Sequence, residues 1–290
     1  MSKKHPIISV TGSSGAGTST VKNTFDQIFR RERVTAVSIE GDAFHRFNRA
    51  DMKTELDKRY AAGDHGFSHF SYEANELGEL ERVFREYGET GKGRTRHYVH
   101  DDAEAAKYGV PPGHFTEWEE FPEGSDILFY EGLHGAVVND EVDIAKYADL
   151  KIGVVPVINL EWIQKIHRDK AHRGYTTEAV TDVILRRMDA YVHCICPQFT
   201  KTNINFQRVP VVDTSNPFIA RTIPTPDESL VVIRFANPRG IDFPYLVSMI
   251  EGSWMSRANS IVIPGGKMDL AMQLIFTPMI ERLVRESKRA

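Results

Sequence analysis

Along this chain, short runs of aliphatic and β-branched residues alternate with longer stretches whose apolar positions recur every three or four residues. Such alternation predicts an α/β fold of the P-loop NTPase kind, a mainly parallel or mixed sheet flanked by helices. Residues 6–11 read as the first strand, and 35–40, 126–130, 150–155, 209–212 and 230–235 as further strands, so at least six are expected. In 19–33, Val21, Phe25, Ile28 and Phe29 fall at spacings of four, three and one, an apolar stripe on a helix of about four turns. Residues 72–87 and 268–285 carry similar helical patterns. Residues 88–122 hold five glycines, three prolines and many polar side chains, which predicts a long loop with little regular structure, and loops of that length are usually functional. No repeat, low-complexity tract or linker divides the chain, so it reads as one domain over 1–290 with a helical lid at about 160–195.

Composition narrows the classes of function. The 290 residues, 41% hydrophobic, suffice for one large core. Charged residues make up 26% and the net charge is −4, which leaves no global positive field for a nucleic-acid backbone or an anionic membrane. The start lacks an apolar stretch with a cleavage site, and no apolar run approaches the roughly 20 residues of a bilayer span, so a soluble cytoplasmic protein is expected. The two cysteines, Cys194 and Cys196, are spaced for neither a CxxC redox motif nor a zinc knuckle, which suits reduced thiols. His65 with His69, and His97 with His100, could share a helix side, but neither pair has the further ligands that zinc requires.

The first strongly chemical feature is Gly12-Ser13-Ser14-Gly15-Ala16-Gly17-Thr18-Ser19-Thr20, which follows the first strand and opens a helix. This is the G-x-x-x-x-G-x-[ST] frame of a Walker A loop, in which successive backbone N–H groups converge on phosphate oxygens at a helix N-terminus. All nine residues are nucleotide-binding candidates, with Ser19 placed to coordinate Mg²⁺. A Ser/Gly-rich turn without a ligand is the plain alternative, and the order of strand, loop and helix weighs against it. A dinucleotide G-x-G-x-x-G counted from Gly15 would need glycine where Thr20 stands. Thr18 replaces the lysine that usually precedes the Ser/Thr, so the main cation on the β and γ phosphates is missing. Either the chain does not catalyse, or another cation substitutes.

Carboxyl ends of parallel strands gather at one edge of a sheet, which brings Asp42, just after the second strand, towards this loop. A carboxylate there can accept the proton of an attacking hydroxyl, although an N-cap or loop aspartate would look the same in sequence. Asp126 to Glu131 is an apolar strand ending in an acid, a Walker B pattern with glutamate, and Glu131 could hold Mg²⁺ or its water shell. At 100° per residue, Lys165, Arg168, Asp169, His172 and Arg173 share an arc of roughly 140° on one helix. Two readings stay open: a solvated ladder of alternating charge through Glu161, Lys165, Asp169 and Arg173, or a cationic lid over an anionic site. The expected chemistry is transfer of the γ-phosphate of ATP to the hydroxyl of a small soluble substrate.

Together these residues resemble the phosphoribulokinase family of the uridine kinase-like P-loop kinases. The likeness is carried by Gly12 to Thr20, by Gly41-Asp42-Ala43-Phe44-His45-Arg46, by Phe129-Tyr130-Glu131-Gly132-Leu133-His134, and by Arg168-Asp169-Lys170-Ala171-His172-Arg173-Gly174-Tyr175. It spans nearly the whole chain, the length looks like the bacterial form, and the last motif separates it from uridine kinases. The resemblance implies MgATP-dependent phosphorylation of the C1 hydroxyl of D-ribulose 5-phosphate to D-ribulose 1,5-bisphosphate, a step of Calvin-cycle carbon fixation. It implies Asp42 as the base, Glu131 as the metal-associated acid, Asp169 as a second essential carboxylate near metal or substrate, and Lys165 as the catalytic lysine. It assigns His45, Arg49, Arg168 and Arg173 to the sugar phosphate, whose dianion suits bidentate guanidinium groups. It further implies a homo-oligomer, as large as an octamer, with NADH as activator and AMP as inhibitor. The plant-type members carry a thioredoxin-controlled cysteine in this loop; here there is none, so redox switching is not expected.

Other readings are another small-molecule kinase such as a uridine kinase, whose nucleoside acceptor has no phosphate for so many basic residues, and a nucleotide-binding pseudokinase that lacks the loop lysine. A guanine-nucleotide switch should offer N-K-x-D, which does not occur. A purely structural protein would leave the loop, both strand-end acids and the cationic helix unexplained.

Overall fold

The computed structural model describes residues 4–13, 17–155 and 157–289, apart from the side chains of Ser19, His172 and Arg173. Ser14, Gly15, Ala16 and the side chains of Ser19 and Arg173, all candidate site positions, therefore lie outside the described residues. Strand β1 (Ile7–Thr11) leads through the glycine-rich loop into α1 (Thr18–Glu32), which returns as β2 (Ala36–Glu40). A 3-10 turn at Gly41–Phe44, helix α2 (Arg49–Ala61), a second turn at Tyr72–Ala74 and α3 (Leu77–Thr90) follow. Next come β3 (Arg94–Thr95), α4 (Asp102–Tyr108), β4 (Glu119–Glu120), β5 (Ile127–Gly132) and β6 (Leu150–Val154). The remaining elements are α5 (Ile158–Arg173), α6 (Thr177–Ala190), β7 (Ile204–Pro210), β8 (Ser229–Phe235), α7 (Phe243–Met249), β9 (Trp254–Arg257), β10 (Ser260–Pro264) and α8 (Met268–Ser287).

Eight strands form the main sheet in the order β2-β5-β1-β6-β7-β8-β10-β9, the first five parallel and the last three antiparallel. The apolar runs explain the division. Every residue of β1 is buried, as strands covered on both faces require. On one face α1 and α8 pack with Phe25 and Phe276 at 4.8 Å between ring centroids, and on the other α3 buries Leu80, Phe84 and Tyr87. Burial alternates along β8, the mark of a half-covered antiparallel strand, and β9 is exposed throughout and ends the sheet.

Several expectations need correction. The apolar 209–212 run is not the strand, because β7 spans Ile204–Pro210 with Ile204 and Phe206 inward, while Val211 and Val212 are 60% and 40% exposed. The helix expected over 72–87 begins only at Leu77, since residues 74–76 are instead paired with 44–46. Residues 88–122 are not an irregular loop: they hold the end of α3, α4 and the β3–β4 ladder. Arg96 orders them, its guanidinium 3.7 Å from the Phe115 ring centroid and 4.7 Å from that of Trp118. The expectation of at least six strands holds, with β9 and β10 as the additional members of the sheet. Among the described residues no helix is long and apolar enough to cross a membrane.

Candidate active site

The carboxyl ends of β1, β2, β5 and β6 lie side by side, so Thr11, Glu40, Gly132 and Val154 mark one edge. Here the phosphate loop enters α1 at Gly17, whose φ of 97° is costly for any residue with a Cβ. Gly41 and Gly132 let β2 and β5 close up: a methyl on Gly41 would lie 2.7 Å from the Tyr130 hydroxyl and 2.8 Å from the Gly132 Cα. Asp42 and Glu131 are the residues next to these two glycines.

Glu131 lies in register beside Glu40 and is hydrogen-bonded to Thr18. Burial pushes its carboxyl up, and the charges of Asp42 and Glu40 add to this against Thr18 and Lys22. Lys22, one turn into α1, pairs with Glu40 at 2.5 Å. It is a cation beside the loop that sequence inspection passed over. Glu40 and Glu131 beside one lysine form a hard-oxygen pair short of positive charge, which fits Mg²⁺ held by few protein ligands and the substrate phosphates. Among the described residues, no three His, Cys, Asp or Glu side chains converge as a metal site of their own.

Asp42 faces a cluster of histidines. Its Oδ1 lies 3.2 Å from His45 Nε2 and its Oδ2 3.4 Å from His100 Nε2. Burial alone would raise its carboxyl, but the charge and hydrogen bond of His45, with His100 and His69, hold it well below the usual carboxylate range. His45 is buried with its Nε2 turned to Asp42. Arg49 does lie at this cleft, its guanidinium donating to the His100 carbonyl at 2.8 Å. Sequence inspection weighed His100 only as half of a zinc pair and gave it no place beside Asp42, because it sits in the supposed loop.

Helix α5 brings the remaining candidates. Glu161, Lys165 and Asp169 are only 5%, 6% and 2% exposed, so the solvated ladder is ruled out. Lys165 Nζ meets Asp169 Oδ2 at 2.6 Å, and Arg168 Nε meets Oδ1 at 3.1 Å. Burial and the nearby Arg187 charge push the Lys165 ammonium down to about 8, against the pull of Asp169. The first turn of α5 touches the phosphate loop itself, since Ser13 Oγ donates to Glu161 Oε1 at 2.5 Å. Burial raises Glu161 to about 7, with Ser13 partly offsetting it. Its Oε2 is buried and, among the described residues, has no well-directed partner, although Tyr191 stands near.

Comparison with known proteins agrees with this geometry. Residues 7–215 match the model of the phosphoribulokinase / uridine kinase family. The chain is 84% identical over 290 residues to phosphoribulokinase 1 of Cereibacter sphaeroides, covering all of both chains, and 71% identical to a phosphoribulokinase of Nitrobacter vulgaris, again over the full length of both. A solved phosphoribulokinase from Rhodobacter spheroides superposes with a TM-score of 0.91 at 80% identity, covering 99% of this chain and 100% of that one. The chain is a kinase of the phosphoribulokinase / uridine kinase family.

Proposed function

We propose that this kinase transfers the γ-phosphoryl group of ATP to the C1 hydroxyl of D-ribulose 5-phosphate, giving D-ribulose 1,5-bisphosphate for carbon fixation. The observation that carries the reading is Asp42, held as a carboxylate by His45 and His100 at the strand edge where the phosphate loop begins. Full-length likeness to proteins named phosphoribulokinase supports the choice of acceptor over a nucleoside. Residues 1–290 act as one kinase domain, with α5, α6 and the turn after them as its lid.

Gly12 to Thr20 cradle the triphosphate, and the sugar phosphate is held by Arg49, Arg168 and Arg173. Glu131 and Ser19 would hold Mg²⁺, which supplies charge neutralisation on the β and γ phosphates. Asp169, already shared by Lys165 and Arg168, keeps those cations beside it. The C1 hydroxyl gives its proton to Asp42 as its oxygen bonds to the γ phosphorus, and the bond to the β-phosphate oxygen breaks to release ADP. A carboxylate of such low basicity takes the proton late, after the leaving group has largely parted, as a loose transition state allows. Lys165 supplies the charge that Thr18 cannot. Family likeness alone supports the homo-oligomer, the NADH and AMP effects and the cytoplasmic location.

A coupled assay of ADP release with D-ribulose 5-phosphate, with uridine and without acceptor tests the reading. Release only with the sugar phosphate supports it, and equal rates with uridine would reverse it. Asp42→Asn should lower kcat by about 10² to 10⁴ with ATP affinity kept; near-normal turnover would remove Asp42 from the mechanism.

A further inference from the structure

Asn75 is only 2% exposed and belongs to no helix or regular strand. It faces His45 in an isolated antiparallel bridge, with Arg46 N donating to Ala74 O at 2.9 Å and Glu76 N to Phe44 O at 2.7 Å. Its Nδ2 donates to the carbonyls of His69 at 3.0 Å and Ser71 at 2.8 Å. Exchanging nitrogen and oxygen would set an acceptor against both carbonyls, so Oδ1 is the atom at 2.8 Å from His45 Nδ1. That oxygen can only accept, which places a hydrogen on Nδ1. The other ring nitrogen, Nε2, lies 3.2 Å from Asp42 Oδ1, an acceptor when ionised. Both ring nitrogens are thus aimed at acceptors, which an imidazolium satisfies and a neutral ring does not.

We propose that Asn75 is a positioning residue whose carbonyl oxygen keeps the His45 ring charged, with Nε2–H directed at Asp42, and so fixes the orientation of the base. The inference rests on the reading of Asp42 given above. The groups facing His45 are consistent with it. His69 lies 5.2 Å away and Tyr98 6.0 Å between ring centroids, while His134 meets Asn75 Nδ2 at 3.1 Å. Burial holds His69 and His134 down to about 3, so both stay neutral. Burial and the Arg187 charge disfavour a charged His45, and Asp42 and Asn75 outweigh them.

Histidine-selective ¹⁵N labelling tests this directly, the His45 signal being the one lost in His45→Asn. In the unmodified enzyme both ring nitrogens should remain protonated through pH of about 6.5, the ordinary histidine midpoint. Asn75→Ala removes an acceptor and should lower the midpoint, with kcat down about tenfold and little change in the KM for ATP. Asn75→Asp keeps an acceptor for Nδ1 with added charge and should raise the midpoint, while its second oxygen, set against the His69 and Ser71 carbonyls, should lower the melting temperature. A His45 that is neutral at pH 6 in the unmodified enzyme would overturn the proposal whether or not the variants fold, and so would a midpoint unmoved in a folded Asn75→Asp. Midpoints that move as expected while Asp42→Asn keeps normal turnover would leave the Asn75–His45 coupling standing and remove only the base.

Discussion

Lys165→Met deletes a charge with little change of volume, and the structure separates its two consequences. Lys165 is buried with Nζ 2.6 Å from Asp169, so its loss strips a partner from a buried carboxylate. Breaking a buried pair outright costs about 3–5 kcal/mol. Here Arg168 still holds the other oxygen at 3.1 Å, so roughly half that cost is expected, or about 4–8 °C in melting temperature for a chain of this size. A surface ladder would have cost below about 0.5 kcal/mol. The kinetic effect is larger. Triphosphate and sugar phosphate bring about six negative charges together, and one divalent ion offsets two. Removing a preorganised cation from such a site should cut kcat about 10² to 10³-fold, with both Michaelis constants nearly unchanged because the interaction strengthens only in the transition state. The ammonium is pushed down to about 8 in the free enzyme, so kcat/KM of the unmodified enzyme should fall as pH rises through about 8, and the variant should lack that limb. Steady-state kinetics from pH 6.5 to 9, with thermal melts, measures all three effects. Normal kcat with an unchanged alkaline limb would refute the assignment.

Arg49→Ala should raise the KM for the sugar phosphate by about 10 to 100-fold, the loss of a charge-assisted contact of about 1.5–3 kcal/mol, and an effect confined to ATP would reassign it. Glu161, raised from 4.5 to about 7, binds more protons folded than unfolded, so it draws stability down as pH climbs from 4.5 to 7. Glu161→Gln should therefore melt higher than the unmodified enzyme at pH 8 and lose that advantage at pH 4.5; parallel melting curves would show that the carboxyl is not buried as described. Cys194 and Cys196 are free, and burial raises both thiols, so dithiol reductants should leave activity unchanged, as assays before and after treatment would show.

The parallel half of the sheet was readable because its strands are continuous apolar runs covered on both faces, and the phosphate loop because its glycines are dictated by local geometry. Asp42 and Glu131 followed from the rule that strand ends share an edge. What escaped detection depends on pairing between distant segments. Asn75 looked like a residue in a helix because nothing local shows that 74–76 pair with 44–46. His100 is drawn to Asp42 by a segment ordered through Arg96 stacking on Phe115, a contact with no periodic signal. The charges of α5 fit two readings in sequence, and their burial in the fold, with Glu161 seated on Ser13, decided that they turn inward. For β7 the largest apolar run pointed to the wrong residues, since Gln207 and Arg208 interrupt a strand whose neighbour on one side is antiparallel.

The closeness of Gly41 and Gly132 bears on redesign of this enzyme. With no side chain between them, Asp42 and Glu131, the proposed base and metal acid, are mounted on touching main chains, and their spacing is a fixed gauge that repacking of neighbours cannot adjust. Alanine at either glycine would wedge the gauge open at its narrowest point. Attempts to give the enzyme a longer or bulkier acceptor therefore have little room for success at this edge. Arg49 on α2 and Arg168 on α5 stand on helices and not on the strands that carry the two glycines, so redesign of the acceptor side starts from them.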